Sequence, residues 1–537
     1  MSSENLTDDP HQSSSPLVAQ AQEPGMLDLN SSLRVGEDVT LILGADSLLI
    51  ADESRVHKAR CCGLIPTSNA PRSCSISFVY DRCVKAGLNG MRLLMIIESR
   101  GSREIPFYNV LSVDLSETKI IIKYARPISK HDISAESLQY AIDNHVPRSK
   151  AEAWVERLLN RAYGDAQRNK RLKVLINPFG GKGHAVKSYY NYAEPIFAAA
   201  GCKLDVETTQ YSGHATEIVA QMDVDAYDAI VCCSGDGLPH EVFNGLAKKP
   251  NATEVLSKVA VALLPGGSGN AMAWNLCGTG SVSLAALAVL KGIRTPLDLV
   301  SITQGDTRRL SFLSQSYGMI ADSDLGTEHL RWMGSARFTY GFMVRLLGKT
   351  TYPCDLAFKV EIDNKQEIKD HYLAYKNKKP QARRTGDDGN GDRPSGLPPL
   401  KYGTVKDDIP KDWEVVSSDT IGTFYAGNMA IVSANTNFFP ASLPSDGLMD
   451  MVTIDGTLSL PKVLSIMSAV DKGDFFDIPE VTVRKVSAYR LTPRQSHGFI
   501  SVDGEKVPFE PFQVEVHPGL GTVLSKSGHL YEAQGPV

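Results

Sequence analysis

Three glycine-rich segments in the middle of the chain have the residue types of a phosphate-binding site. They are Asn177-Pro-Phe-Gly-Gly-Lys-Gly183, Ser234-Gly-Asp-Gly237 and Pro265-Gly-Gly-Ser-Gly-Asn270, and each follows a short apolar run. Glycine lets backbone N–H groups approach phosphate oxygens closely. Lys182 adds a positive charge to the first segment and Asp236 a carboxylate to the second. The first segment is not a Walker A motif, because the four-residue gap and the Lys-Ser/Thr pair are missing. In series, the three segments predict a cradle for nucleotide phosphates with a carboxylate in it.

Each segment taken alone also fits a purely structural interpretation. Loops like the first and third can be tight turns or hinges, and Asp236 can be a residue that caps the helix after it. Glu241 lies about one helical turn after Asp236 and is expected near the same crevice, whereas His240 is interpreted as a structural histidine. The functional interpretation is favoured because three such loops occur in series.

The residues around these segments alternate between strand and helix patterns. Apolar runs predict strands at 174–176, 204–208, 229–233 and 259–264, with helices at 189–200, 214–222 and 239–246. Short apolar strands that alternate with helices predict an open parallel α/β sheet. Ligands of such sheets bind beyond the carboxyl ends of the strands, which is where the glycine-rich segments lie.

The rest of the 537-residue chain divides into further predicted units. Residues 1–36 predict a disordered tail, and short β-rich runs in 37–145 predict a small β-rich module. The α/β domain is expected at 168–300, followed by a mostly antiparallel β-sandwich domain at 301–530. Inside the latter, 377–411 are rich in Lys, Arg, Asp, Gly and Pro, which predicts a disordered insertion. The predicted fold class is therefore α/β plus β.

Composition argues against several classes of protein. The net charge of −5 gives no overall basic field for binding nucleic acid. No uninterrupted apolar run is long enough to span a bilayer, and the N-terminus lacks the apolar core of a secretory signal. The nine cysteines include no CxxC pair, which favours the reduced thiols of a cytoplasmic protein.

The order of the motifs resembles the catalytic domain of diacylglycerol-kinase-type lipid kinases. The resemblance rests on NPFGGKG, on SGDG with LPHEVFNGL, and on LLPGGSGN. The later segments Ser316-Tyr-Gly-Met-Ile-Ala-Asp-Ser-Asp-Leu325, Arg331-Trp-Met-Gly-Ser-Ala-Arg337 and Gly498-Phe-Ile-Ser-Val-Asp-Gly-Glu505, followed by Val516-His-Pro, resemble the sphingosine kinase branch. The resemblance implies an ATP-dependent, Mg²⁺-assisted kinase. Its substrates would be sphingoid long-chain bases (sphingosine, dihydrosphingosine or phytosphingosine), phosphorylated on their primary hydroxyl.

The resemblance also implies roles for individual residues. Asp236 would be the general base on the lipid hydroxyl, and Asp324 would bind the cationic amine of the lipid, a group that diacylglycerol lacks. The acceptor pocket would also include Ser234, Gly235 and Gly237. The residues that would serve the nucleotide, its phosphates or its metal are Asn177, Pro178, Phe179, Thr209, Gln210, Tyr211, Ser212, Gly213, Glu241, Gly267, Ser268, Gly269, Arg331, Arg337, Asp503, Gly504 and Glu505.

Rival interpretations remain open from the sequence. A kinase of the same superfamily that acts on diacylglycerol or ceramide would share most of these motifs. NAD kinase also has a Gly-Asp acid after a strand, but the serine before Gly235 and the segment 324–337 argue against it. The third alternative, a non-catalytic lipid-binding protein with a decayed kinase fold, is disfavoured because Asp236, Glu241 and both arginines are all present.

A lipid substrate also has consequences for where the enzyme works. Because no spanning helix is predicted, the enzyme should associate with membranes peripherally. Cys61 and Cys62 lie near basic and apolar residues, so they are candidate acylation sites, although buried thiols of the β-rich module are an equal alternative. The oligomeric state cannot be read from the sequence.

Overall fold

The computed structural model describes residues 31–52, 103–143, 145–327, 341, 344, 350–378, 395–434, 436–472 and 474–536, with the backbone alone at 181, 182, 471 and 472. These residues divide into two units. The first contains the described residues up to Glu104 together with those of Asp143–Trp154, and the second contains Ile105–Ile142 and those from Val155 onward. All three glycine-rich segments belong to the second unit.

The N-terminal residues contain two antiparallel sheets and one helix, which agrees with the β-rich character predicted for them. The four-stranded sheet has the order β1-β2-β3-β4 and the three-stranded sheet the order β5-β6-β7. Their bounds are β1 Ser32–Val35, β2 Val39–Leu43, β3 Ser47–Asp52, β4 Arg103–Pro106, β5 Val110–Leu115, β6 Lys119–Pro127 and β7 Ile133–Ala141, followed by helix α1 Arg148–Tyr163.

Strand β1 corrects the predicted tail of residues 1–36. Its Leu33 and Val35 are fully buried, and Gly36 turns the chain into β2 with a φ of 61°. These two side chains bury enough apolar surface to order a segment whose neighbours are polar. Residues 1–30 of the predicted tail, like Cys61 and Cys62, lie outside the described residues.

The middle of the chain forms the predicted parallel α/β sheet, with the strand order β11-β10-β8-β9. The predicted helix at 189–200 begins instead with a π-helical turn, Tyr189–Ala193. The bounds are β8 Arg171–Ile176, α2 Gly180–Gly183, α3 Ala185–Ser188, α4 Glu194–Ala199, β9 Lys203–Thr208, α5 His214–Gln221, β10 Ala229–Ser234, α6 Gly237–Ala247, α7 Ala252–Lys258, β11 Ala260–Pro265, α8 Ala271–Cys277 and α9 Val282–Leu290.

The C-terminal part is strand-rich and antiparallel, as predicted. Its bounds are β12 Ile293–Gln304, β13 Thr307–Ser311, β14 Ser314–Gly318, α10 Met319–Leu325, β15 Cys354–Ile362, α11 Lys365–Lys376, β16 Glu414–Ser418, β17 Ile421–Gly427, β18 Ile431–Ser433, β19 Thr436–Asn437, β20 Met449–Asp455, α12 Leu460–Lys472, β21 Val481–Pro493, β22 Ile500–Val502, β23 Glu505–Val507 and β24 Phe512–Ser525. Strand β24 pairs antiparallel with β12 and β21 and parallel with β11. It therefore joins this part to the α/β sheet.

The predicted insertion at 377–411 is described at 377–378 and from residue 395 onward, and the latter part is held by hydrogen bonds. The backbone N–H groups of Lys401 and Tyr402 donate to the Glu515 carboxylate at 2.9 and 3.0 Å. The N–H of Gly396 donates to the carbonyl of Pro250 at 2.6 Å. The prediction of disorder is therefore wrong for 395–411, because backbone groups make these contacts and a polar composition does not reveal them. Residues 379–394 lie outside the described residues.

Two apolar clusters form the core of the strand-rich part. One lies among β12, β14, β15, β17, β21 and β24, with Tyr317, Phe424, Tyr489 and Phe512 fully buried. The other lies between β20, β21 and α12 and includes Phe438, Phe439 and Ile466.

In the part of the chain that the structure describes, no single helix is long and apolar enough to cross a membrane, and only the bent pair α8 and α9 passes that test together.

Candidate active site

The three glycine-rich loops meet at the carboxyl ends of β8, β10 and β11. The N–H of Asn177 donates to the carbonyl of Cys233 at 3.2 Å, and the N–H of Gly266 donates to the carbonyl of Ser234 at 2.8 Å. A Cβ atom at Gly267 would lie 2.4 Å from the Cα of Gly235. No side chain fits there, so glycine is required for the second and third loops to touch. The structure thus brings together loops whose proximity the sequence could only suggest.

The first loop is shaped by Asn177. Its side-chain oxygen accepts the N–H of Phe179 at 3.0 Å, and its carbonyl accepts the N–H of Gly180 at 3.0 Å. This turn projects the Phe179 ring outward, where 79% of the side chain is exposed. The predicted nucleotide residues Asn177 to Phe179 therefore lie on an accessible edge.

The third loop is closed by Asn270, which the sequence interpretation did not single out. Its side chain accepts the N–H of Gly267 at 2.7 Å and donates to the Gly267 carbonyl at 2.9 Å. Asn270 itself has a φ of 54°, a left-handed conformation that Asn adopts more readily than most residues. The turn formed by Gly267, Ser268 and Gly269 is thus fixed from inside and leads into α8.

Asp236 stands where the second and third loops meet. Its two carboxylate oxygens accept the N–H groups of Ala271 and Met272 at 2.9 Å each. The carboxylate therefore caps α8, and not the helix that follows it in sequence as the structural alternative had supposed. Removal from water raises its pKa, the two N–H groups oppose that rise, and the charge of Asp503 adds to it. The result is a fixed carboxylate with a raised pKa.

Glu505 brings a second carboxylate to the same place from far along the chain. A Cβ atom at Gly237 would lie 2.8 Å from a carboxylate oxygen of Glu505, so this side chain lies against the first turn of α6, next to Asp236. Asp503 and Gly504 form the two-residue turn between β22 and β23, with φ values of 52° and 84°. An Asp-Gly pair favours this type of hairpin turn.

Asp503 anchors that hairpin and is fully buried. It accepts hydrogen bonds from His240 Nδ1 at 2.7 Å, from the Ser311 hydroxyl at 2.6 Å and from three consecutive backbone N–H groups. Burial by itself would raise its pKa, but the His240 ring and the other donors lower the pKa below its usual range. The carboxylate is thus ionised and occupied by protein donors. Its geometry suits an anchor for Glu505 more than a nucleotide ligand, and His240 has the structural role expected of it.

Glu241 holds the predicted nucleotide segment 209–213 at the start of α5. Its carboxylate accepts the N–H groups of Gly213 and Ala215 at 2.9 and 3.1 Å. At the other end of the segment, the N–H of Thr209 donates to the carbonyl of Ile176, while Tyr211 is half exposed and bonded to Glu217. The Glu241 side chain therefore holds the predicted nucleotide segment through that segment's backbone N–H groups. The remaining members of the segment, Gln210 and Ser212, are exposed.

Asp324 lies half-buried on α10, directly after β14. The neighbouring acid, Asp322, accepts a hydrogen bond from the Tyr352 hydroxyl at 2.9 Å. Burial raises the pKa of Tyr425, and the negative charges of Asp324, Asp503 and Asp236 raise it further. All three carboxylates therefore lie close enough to this hydroxyl to act on it electrostatically. The predicted phosphate ligands Arg331 and Arg337 lie outside the described residues.

An apolar surface adjoins the carboxylates. Ile320, Tyr425 and Val432 are partly buried and pack against the cluster of Phe438, Phe439 and Ile466. The Val432 carbonyl would lie 3.6 Å from a Cβ atom at Gly269, and that Cβ would be 3.4 Å from an Asp236 oxygen. The glycine-rich loops of the site thus lie next to apolar side chains.

Glu505 supplies a carboxylate of the kind that Mg²⁺ binds. This ion is commonly held by one or two carboxylates together with substrate phosphates and water. The described residues contain no group of three or more His, Cys, Asp or Glu arranged to hold a metal by themselves. A site completed by nucleotide phosphates fits both observations.

Family models match most of the chain. The diacylglycerol kinase catalytic domain matches residues 171–302, and the YegS C-terminal NAD kinase beta sandwich-like domain matches 402–525. Residues 31–164 match a domain of unknown function. The first two matches agree with the α/β sheet and the antiparallel part described above.

Several characterised proteins are similar over most of their length. Sphingoid long chain base kinase 5 of Saccharomyces cerevisiae is 38% identical, over 86% of this chain and 76% of its own. Sphingoid long chain base kinase 4 of Schizosaccharomyces pombe is 34% identical, over 78% of this chain and 88% of its own. Human sphingosine kinase 1 is 30% identical, over 66% and 91%.

Proposed function

Because the chain belongs to the sphingosine kinase family, we propose that it transfers the γ-phosphoryl group of ATP to the primary hydroxyl of a sphingoid long-chain base, with Asp236 as the general base. The observation that carries this proposal is the Asp236 carboxylate, held by two backbone N–H groups where three glycine-rich loops meet. Phosphoryl transfer depends on positioning and on charge neutralisation far more than on covalent chemistry by the protein.

The loops supply the nucleotide side of the reaction. The first and third loops border the crevice beyond the strands, where phosphates bind in open α/β sheets. When bound, Mg²⁺ would neutralise charge on the phosphate oxygens, and Glu505 would hold it. Arg331 and Arg337 remain phosphate ligands by resemblance, and a planar guanidinium suits phosphate oxygens.

Asp236 accepts the proton of the lipid hydroxyl as its oxygen attacks the γ-phosphorus. The bond between that phosphorus and the β–γ bridging oxygen breaks, and ADP leaves with the electron pair. Asp236 then releases the proton to solvent, so that a phosphate monoester and ADP are formed. A raised pKa supports this role, because a carboxylate of ordinary pKa is a weaker base.

The head and tail of the lipid meet different surfaces. Asp324 binds the ammonium group through a charge-assisted hydrogen bond, which favours an amino alcohol over diacylglycerol. The alkyl chain lies along the apolar surface around Ile320 and Val432, where it gains roughly 0.8 kcal/mol for each buried methylene group.

Access to a bilayer lipid requires contact with the membrane, and helix α12 is our candidate for it. Leu460 and Leu464, one turn apart, are 40% and 41% exposed. Replacing both with Ser should reduce co-sedimentation with vesicles of phosphatidylcholine containing sphingoid base. Replacing Val415, which is 60% exposed on strand β16, is the matched control and should leave binding unchanged. Equal losses in both variants would refute a specific role of α12.

The function itself is tested by a substrate panel with the purified chain. ATP turnover should be rapid with a sphingoid base and at least about tenfold slower, at equal concentration, with diacylglycerol or ceramide, neither of which has a free amine. Preference for diacylglycerol or ceramide would favour the rival kinases. Absence of turnover with every lipid, while ATP binding is retained, would favour the non-catalytic alternative.

A further inference from the structure

Tyr425 lies at the junction between the carboxylates and the apolar surface. It belongs to β17, opposite Ser316 of β14. Its ring centre is 4.8 Å from that of Phe439 and 5.0 Å from that of Phe438. The ring is therefore fixed in the apolar cluster, and only the hydroxyl end can serve another purpose.

The hydroxyl end of Tyr425 points toward polar groups. It accepts a hydrogen bond from the Ser314 hydroxyl at 3.4 Å, and the backbone N–H of Ser314 donates to Asp503 at 3.0 Å. Among the residues that the structure describes, none accepts the phenolic proton of Tyr425 in a hydrogen bond. The phenol of a tyrosine is protonated at neutral pH, so this proton is available to a ligand.

The chemical order of the site matches that of an amino alcohol lipid. Asp236 and Val432 both adjoin Gly269: a Cβ atom there would lie 3.4 Å from an Asp236 oxygen and 3.6 Å from the Val432 carbonyl. Val432 and Tyr425 in turn border the same apolar cluster. A sphingoid base likewise places its reacting hydroxyl and its amine at one end and its alkyl chain at the other. Its secondary hydroxyl groups lie on the carbons between them, and Tyr425 lies where the apolar cluster adjoins the influence of the carboxylates.

We infer that Tyr425 is a specificity-determining residue whose hydroxyl donates a hydrogen bond to a secondary hydroxyl group of the lipid, next to the amine-bearing carbon. The inference rests on the proposed function. It adds that the enzyme distinguishes long-chain amino alcohols by the hydroxyl groups that follow the amine. The competing explanation is that the Tyr425 ring only packs against Phe438 and Phe439 and that its hydroxyl contacts Ser314 alone.

A matched set of lipids and variants separates the two explanations. The lipids are 2-aminooctadecan-1-ol, which has no secondary hydroxyl, its 3-hydroxy derivative sphinganine, and 4-hydroxysphinganine. The variants are Tyr425→Phe, which keeps the ring, and Tyr425→Leu, which also removes it. The control is Tyr227→Phe, which removes a tyrosine hydroxyl that is bonded to Asp205 on the surface, away from the site.

Tyr425→Phe should lower kcat/KM about tenfold for at least one of the hydroxylated bases, the effect of one net hydrogen bond. The value for 2-aminooctadecan-1-ol should stay within about twofold. The selectivity ratio is kcat/KM for the hydroxylated base divided by kcat/KM for 2-aminooctadecan-1-ol. This ratio should fall by the same factor in both Tyr425 variants and should be unchanged in Tyr227→Phe. Because the ratio compares substrates on one enzyme preparation, the fraction of folded enzyme cancels.

An equal fall for all three lipids in Tyr425→Phe would overturn the inference and leave the proposed function intact. Failure of the unmodified enzyme to phosphorylate any of the amino alcohols would overturn the proposed function, and the inference with it. The two failures are thus distinguished by the unmodified enzyme alone.

Discussion

Replacing Asp236 with Asn should have two separate effects, because this carboxylate both serves as a base and caps α8. Loss of a general base lowers turnover by about 10²–10⁴-fold, which corresponds to a rise of roughly 3–5.5 kcal/mol in the activation barrier. In addition, the amide NH₂ must face one of the N–H groups of Ala271 and Met272, each of which now donates at 2.9 Å. A buried donor left without an acceptor costs about 1–3 kcal/mol in the free energy of unfolding.

The assay measures ADP release with saturating sphingoid base, ATP affinity by titration calorimetry, and the unfolding midpoint in urea. Ser281→Ala is the matched control, since the Ser281 hydroxyl caps α9 by accepting the N–H of Leu284 at 3.3 Å. It should lose about 1 kcal/mol of stability and keep normal kcat. A near-normal kcat in Asp236→Asn would refute the assignment of the base. A fall in kcat matched by Ser281→Ala would trace the loss to helix capping and not to chemistry.

Three further predictions test other parts of the structure. Asp324→Asn should raise KM for the sphingoid base about tenfold or more and leave KM for ATP unchanged, because it removes a charged partner of the ammonium group; equal rises would indicate a fold defect. Glu241→Gln should raise KM for ATP several-fold, since the amide can accept only one of the N–H groups of Gly213 and Ala215; an unchanged KM would separate that segment from the nucleotide. Lys291 is buried with its amine on two backbone carbonyls, and burial lowers its pKa from about 10.5 to about 6. The unfolded chain therefore binds more protons between these values, so stability rises with pH across that window; Lys291→Met should flatten the rise in urea titrations, and parallel curves for the two proteins would contradict the prediction.

Local patterns predicted the loops well, because each loop is fixed by its own strand and helix. The segments around Asp236 and Gly267 needed only an apolar strand before them and glycines within them. The roles of individual acids were harder to predict. Asp503 is bonded to His240, 263 residues away in sequence, and no local pattern can reveal such a contact. The Asp-Gly turn was visible in the sequence, but not the donors that surround its carboxylate.

Tyr425 and the segment 395–411 escaped the sequence interpretation for different reasons. Tyr425 reads as an ordinary strand residue, and only the strand pairing that brings Ser314 to its hydroxyl makes it chemically distinctive. The segment 395–411 reads as disordered because its composition is polar, yet its backbone completes the bonding of Glu515 on β24. Amino-acid composition describes side chains, so it does not indicate which backbone N–H groups donate to a buried carboxylate.

The arrangement of strands explains how carboxylates from distant parts of the chain can form one site. Asp236 follows a strand of the parallel sheet, whereas Asp324 and Glu505 follow strands of the antiparallel part. Strand β24 hydrogen-bonds to strands of both parts, and the His240–Asp503 pair ties α6 to the hairpin that carries Glu505. A flexible linker between the two parts would let these distances vary, and a misplacement of about 1 Å can cost 10²-fold in rate. Shared strand pairing and the buried His240–Asp503 hydrogen bond instead hold Asp236 and Glu505 in fixed geometry before either substrate binds, so we expect the chemical step to depend on lipid entry more than on domain closure.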